Sequence, residues 1–265
     1  MSFTPRGLIV DMDGVLYRGN VPLPGLRDFF AALGCCPFLL VTNNSLVTPQ
    51  DCSRKMAAMG VAVPPSAILT VSEATGRYLA AAYPPGSRCQ VLGSAALRAA
   101  VAAAGLVLVS AAADVVVTGL DNGLNYPALA EAVRALAAGA GFVATSFDPL
   151  LLTEDGVAPG AGAVVAALRA CVPTAPVCVG KPGPAMFTQA ASQLGLPLSD
   201  VLVIGDSLTS DIAGGRAAGA RTVLVLTGVS GRADVCQPDR PDLVMDGLPE
   251  LSAFLRANWQ RDGIR

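Results

Sequence analysis

The sequence predicts an α/β fold, a parallel sheet with helices on both faces and a second α/β domain inserted into it. Three observations carry that expectation. Short, almost wholly apolar runs alternate with Ala- and Leu-rich helical stretches, as expected of strands covered on both faces. Polar clusters stand directly after several of those runs, where open parallel sheets collect their chemistry. Proline-rich breaks at Pro84-Pro85-Gly86 and at 173–176 bracket a middle segment with its own strand–helix series, which marks entry and exit.

Taken in order, the strand candidates of the outer segments are residues 8–10, 38–41, 177–179, 201–204, 222–226 and 243–245. Helix candidates fall at 26–33, 49–59, 184–194, 208–218 and 249–257. Pro49 suits the first turn of its helix, with Thr48 before it as a cap. The middle segment offers strands at 90–92, 107–109, 115–118 and 142–145, and helices at 95–104, 128–138 and 161–170. The simplest organisation is one sheet closed by 1–78 and 177–265, with 79–176 inserted as a separate α/β domain.

Composition narrows the function classes. The chain has 265 residues, enough for a sizeable core. Apolar residues make up 52% and charged residues 14%, so the membrane question has to be met. The longest doubtful stretch, 99–113, is too short for a span and is interrupted by Gly105 and Ser110. No apolar segment of signal-peptide length follows Arg6. A cytoplasmic protein that neither spans nor enters a membrane is the expectation. Basic residues are scattered, with none of the clustering of a nucleic-acid footprint. The cysteines number seven, an odd count without C-x-x-C spacing, and read as small buried hydrophobes in a reducing compartment. The chain has no histidine, so acid–base or nucleophilic chemistry falls to carboxylates, Lys, Cys or hydroxyls.

Asp11-Met12-Asp13-Gly14 follows the run 8–10. Alternation along an extended chain points Asp11 and Asp13 the same way. Two acids so placed resist joint ionisation unless a cation or a shared proton lies between them. An isolated D-x-D-G also serves as a polar strand end opening a turn. Thr42-Asn43-Asn44-Ser45 follows 38–41 and supplies a hydroxyl and amides for an anion, or a capped loop. Gly180-Lys181-Pro182-Gly183 holds one of only two lysines, the other being Lys55, in a stiff turn; a lone lysine in a turn is usually just solvated. Gly205-Asp206-Ser207-Leu208-Thr209-Ser210-Asp211 follows 201–204. Asp206 or Ser207 would suit a helix cap, yet a cap has no need of Asp211. Four such clusters, expected at one edge of one sheet, make a magnesium site of hard oxygen ligands beside a phosphate pocket.

In that order, D-M-D-G-V, T-N-N, G-K-P and G-D-S-L-T-S-D resemble the four motifs of the haloacid-dehalogenase superfamily. More narrowly the chain is similar to the NagD-like, 4-nitrophenylphosphatase-like phosphatases. Val91-Leu92-Gly93, Gly119-Leu120-Asp121 and Asp155-Gly156 leading into Pro159-Gly160-Ala161-Gly162 support that narrower likeness. The resemblance implies a Rossmann-like core with an α/β cap inserted between the second and third motifs. It implies that Asp11 is the nucleophile, forming an aspartyl-phosphate, and that Asp13 protonates the leaving oxygen and then activates water. Magnesium would be held by the Asp11 carboxylate, the Asp13 carbonyl and the Asp206 carboxylate, with Asp211 and Asn44 in support. Thr42, the amide of Asn43 and Lys181 would receive the phosphoryl oxygens. The expected substrate is a small phosphorylated metabolite of the nucleotide, sugar phosphate, phosphoglycolate or pyridoxal phosphate class, and a homodimer through the cap is an assembly the family allows. Where relatives often carry Thr-Asn-x-Asp, this chain has Thr145-Ser146-Phe147-Asp148. Phe147 and Tyr126 are read either as ordinary core or loop aromatics or as rings stacking on a leaving group.

Rival readings fit less well. A receiver domain places its paired acids adjacent and its phosphoacceptor after the third strand, in about half this length. A dehalogenase dispenses with the acid at position 13. A silent phosphate-binding protein would carry unused buried carboxylates, which cost stability. A phosphotransferase or phosphomutase would use the same core. Gly160-Ala161-Gly162 and Gly214-Gly215 with Gly219 lack the strand–GxGxxG–helix setting of a dinucleotide site and read as turns and close packing.

Overall fold

The structure is a computed structural model, and its described residues are 5–153, 156–235 and 240–259. They form two compact units. One comprises the described residues of Met1–Thr42, Pro49–Leu69 and Phe187–Arg265, the other Asn43–Thr48 and Thr70–Met186.

The first unit is built on a six-stranded parallel sheet. Its strands along the chain are Gly7–Asp11, Phe38–Thr42, Ile68–Thr70, Val201–Gly205, Arg221–Val225 and Leu243–Met245. Across the sheet they run third, second, first, fourth, fifth, sixth, the order of a doubly wound nucleotide-binding fold. Gly7–Asp11 and Val201–Gly205 lie side by side in register, Leu8 opposite Leu202 and Val10 opposite Ile204. Both strands are buried along their whole length, which explains why they are continuous apolar runs rather than alternating ones. Each such Leu, Ile or Val withdrawn from water contributes about 1.5–3 kcal/mol.

The second unit has a five-stranded sheet, also parallel. Its strands are Arg88–Leu92, Val107–Leu108, Val115–Thr118, Gly141–Ala144 and Val177–Cys178. Their spatial order is second, first, third, fourth, fifth, the other common doubly wound arrangement. Phe142, Leu136, Leu168 and Val116 make its core. A hairpin, Leu150–Thr153 with Gly156–Pro159, completes it.

Two expectations are corrected here. The strand predicted at 177–179 does not join the first sheet: Val177 and Cys178 pair with Val143 and Ala144. Consequently Lys181 leaves a different sheet from the one that carries Asp11, Thr42 and Asp206, and the four motifs do not share one sheet edge. The physical reason is that a two-residue edge strand, half exposed at Val177, carries too little pattern to declare its partner. The second unit includes the helix Val71–Ala82 and residues up to Met186. The cysteines are less uniform than expected. Cys36, Cys52 and Cys89 are buried, but Cys35 and Cys171 are exposed, and Cys236 lies outside the described residues. No described helix is long and apolar enough to cross a membrane.

Candidate active site

The first sheet reverses its winding between Gly7–Asp11 and Val201–Gly205. At that switch point the two neighbouring strands send their following connections in opposite directions, and a crevice opens at their carboxyl ends. Asp11 is the last residue of one strand, and Asp206 directly follows the other. The chain then enters a single π-helical turn, Leu208–Ile212, before the α-helix Ala213–Ala217. Wide turns of this kind are frequent at functional sites. Ser207 caps the turn by accepting from the Ser210 amide at 3.2 Å. Asp211, which accepts from the Ser207 amide at 3.2 Å, is thereby folded back toward the strand ends.

The result is a trio. Carboxylate oxygens of Asp11, Asp206 and Asp211 lie within 4.8 Å of one another. All three residues are buried, with exposures of 7%, 4% and 1%, so water does not screen their mutual repulsion. Three like charges so close fit a cation, and an all-oxygen donor set without His or Cys fits a hard one such as magnesium. Asp13 stands apart from the trio and is exposed. At that position its carboxylate is open to solvent.

Sequence reading missed what holds Asp206. Its Oδ2 accepts from the Val229 amide at 2.8 Å, and its carbonyl accepts from Ser230 N at 3.0 Å. A Cβ on Gly228 would meet Asp206 Oδ2 at 1.7 Å, and one on Gly14 would meet it at 2.2 Å. Gly14 in addition has φ +79°, a conformation other L-residues rarely adopt. The two glycines are therefore required by the close approach of backbone to this carboxylate. The same loop is tied to the segment after Asp13. Thr227 Oγ1 donates to the Gly14 carbonyl at 2.7 Å, and Arg18 grips the Thr227 carbonyl through Nε and Nη2 at 2.9 and 2.7 Å. The T-G-V-S-G run at 227–231, just after a strand candidate, was the available signal.

Thr42 ends the strand paired with Gly7–Asp11 and is buried. Asn43, Asn44 and Lys181 belong to the second unit. There Asn43 bridges the lysine loop. Its Oδ1 accepts from the Lys181 amide at 2.9 Å, and its Nδ2 donates to the Lys181 carbonyl at 2.9 Å and to Asp148 at 3.2 Å. Ser146 donates to the same Asp148 oxygen at 2.6 Å. Asn44 accepts from the Leu46 amide at 2.9 Å, shaping the turn. Lys181 is buried at 3% exposure, so the solvated-lysine reading does not hold. Tyr126 and Phe147 are 82% and 45% exposed and are not core aromatics. Asp155 lies outside the described residues.

A family model described as haloacid dehalogenase-like hydrolase matches residues 8–107, and one described as HAD-hydrolase-like matches 178–251. A dihydroxyacetone phosphatase of Corynebacterium glutamicum is 32% identical over 92% of this chain and 90% of its own length. The chain belongs to the haloacid dehalogenase-like hydrolases. Among solved structures, glycerol phosphate phosphatase from Mycobacterium tuberculosis in complex with magnesium has a TM-score of 0.89 at 34% identity, covering 95% of this chain and 78% of that one. NagD from Escherichia coli has a TM-score of 0.87 at 32% identity, covering 93% and 98%. The likeness to NagD thus extends over 93% of this chain.

Proposed function

We propose that this hydrolase is a magnesium-dependent phosphatase of small phosphate monoesters, working in the cytoplasm through an aspartyl-phosphate. The observation that carries the reading is the buried trio Asp11, Asp206 and Asp211 at the switch point of the first sheet. Relatives named for dihydroxyacetone phosphate and glycerol phosphate support small phosphorylated metabolites as the substrate class.

In this reading Asp11 attacks phosphorus, and Asp13 gives its proton to the leaving oxygen as the P–O bond breaks. Asp13, now a carboxylate, takes a proton from water as that water attacks the aspartyl-phosphate, and inorganic phosphate leaves. Magnesium, held by the Asp11 and Asp206 carboxylates and the Asp13 carbonyl, would offset the repulsion between an anionic nucleophile and a dianionic ester. The assignments of Thr42, the Asn43 amide and Lys181 to the phosphoryl oxygens rest on their places in the second and third motifs. Asp211 and Asn44 are assigned support of the metal shell and of the phosphate loop. Residues 79–176 are assigned the role of an inserted cap, through which a homodimer would form.

Replacing Asp11 tests the reading. Asp11→Asn should lower turnover by about 10³-fold or more and abolish an acid-stable, base-labile phosphoenzyme seen in wild type after rapid quench. Near-normal turnover by that variant would refute the assignment.

A further inference from the structure

After Asp13 the chain turns back on itself. Gly14 N donates to the Tyr17 carbonyl at 2.8 Å and Leu16 N to the Met12 carbonyl at 2.8 Å. This tight loop sets Asp13 and Tyr17 side by side as a parallel bridge. Tyr17 then begins a hairpin, Tyr17–Arg18 with Val21–Pro22. Its side chain is buried at 3% exposure, although Asp13 beside it is exposed. The Tyr17 hydroxyl donates a hydrogen bond to the Asp13 carboxylate, and burial together with that acid holds the phenol protonated. On the ring face sits Lys55, its Nζ 3.8 Å from the centroid. Lys55 comes from the helix Pro49–Ala58, one turn beyond the buried Cys52.

We propose that Tyr17 is the positioning residue for the general acid Asp13, and that Lys55, stacked on its ring, strengthens it in that role. The inference rests on the phosphatase reading of Asp13. A buried phenol has few ways to turn, so a hydrogen bond from it restricts the rotamer of the exposed carboxylate. A cation over the ring face draws on the ring's electrons and makes the hydroxyl a better donor. Neither side chain needs to touch the reacting phosphorus. One of the two lysines of the chain is thus assigned to the acid, separately from the motif lysine.

The test uses leaving groups. An alkyl phosphate needs its departing alkoxide protonated, whereas 4-nitrophenolate leaves without help. The second-order constant kcat/KM reports the steps up to phosphoryl transfer, where only the acid role of Asp13 enters. Asp13→Asn should lower kcat/KM on glycerol phosphate by about 10²–10⁴-fold and on 4-nitrophenyl phosphate far less. Tyr17→Phe should reproduce that selectivity in smaller measure, about tenfold against less than twofold, with unchanged Tm. Lys55→Met keeps the aliphatic cover and should lower the alkyl value about threefold in the same direction. An equal loss on both substrates for Tyr17→Phe, or no loss on either, would overturn the positioning role while leaving the phosphatase reading intact. Should Tyr17→Phe fail to fold, Lys55→Met decides by the same ratio. If Asp13→Asn itself shows no dependence on the leaving group, the acid assignment fails and the inference falls with it.

Discussion

The two parallel sheets of this chain each have a switch point, and they are furnished in opposite ways. In the first, the crevice between Gly7–Asp11 and Val201–Gly205 receives three buried carboxylates. In the second, the corresponding place lies between Arg88–Leu92 and Val115–Thr118. There the chain has filled it with its own Ser45, which is fully buried. Ser45 Oγ accepts from the Leu120 amide at 3.0 Å, and its carbonyl accepts from Ser72 and Ser94 hydroxyls. Each of these groups is neutral and satisfied from within. Winding order provides a crevice in both cases, but residue chemistry decides whether it asks for an outside partner. Buried like charges do ask, because gathering three carboxylates in one buried place is costly without a cation, whereas a completed set of neutral hydrogen bonds does not.

That contrast can be broken by substitution. Asp206→Asn removes a charged ligand and should weaken magnesium binding by about 100-fold or more, read by titration calorimetry. Gly228→Ala leaves every acid in place but drives a methyl into Asp206 Oδ2. It should weaken magnesium by about 10–100-fold with an unchanged circular dichroism spectrum. Ser45→Ala acts at the other crevice, leaving the buried Leu120 amide unpaired. It should cost about 1–3 kcal/mol of stability in denaturant unfolding while magnesium affinity stays within about twofold. The smallest effect is expected from Asp211→Asn in the metal-free protein. Relief of like-charge repulsion should raise stability by about 1 kcal/mol, and that gain should vanish once magnesium is added. A destabilised apo variant would show that the trio is not under electrostatic strain.

Much of this was readable beforehand, for reasons visible in particular residues. The strand cores at 8–10 and 201–204 are apolar on both faces because both faces are covered, and the acids that end them stand out against that background. The partner of Val177–Cys178 is not legible in the sequence because a two-residue strand has no periodicity to read. Ile68–Thr70, three residues long, is likewise too short to show a period. The Tyr17–Arg18 hairpin carried a signal in its Gly19-Asn20 turn, but its strands are only two residues long. The clamp on Asp206 is made by a backbone amide and two glycines, groups without side-chain chemistry to announce them. Tyr17 and Lys55 lie far apart in sequence, and only the tertiary fold stacks one on the other.

The most direct measurement is the anomalous diffraction of manganese, used in place of magnesium, in crystals of the wild-type protein. A single strong peak in coordination contact with the carboxylates of Asp11 and Asp206 is the predicted result. A peak elsewhere, or none at a concentration that restores hydrolysis after chelation, would contradict the assignment of the first sheet's acids to a cation.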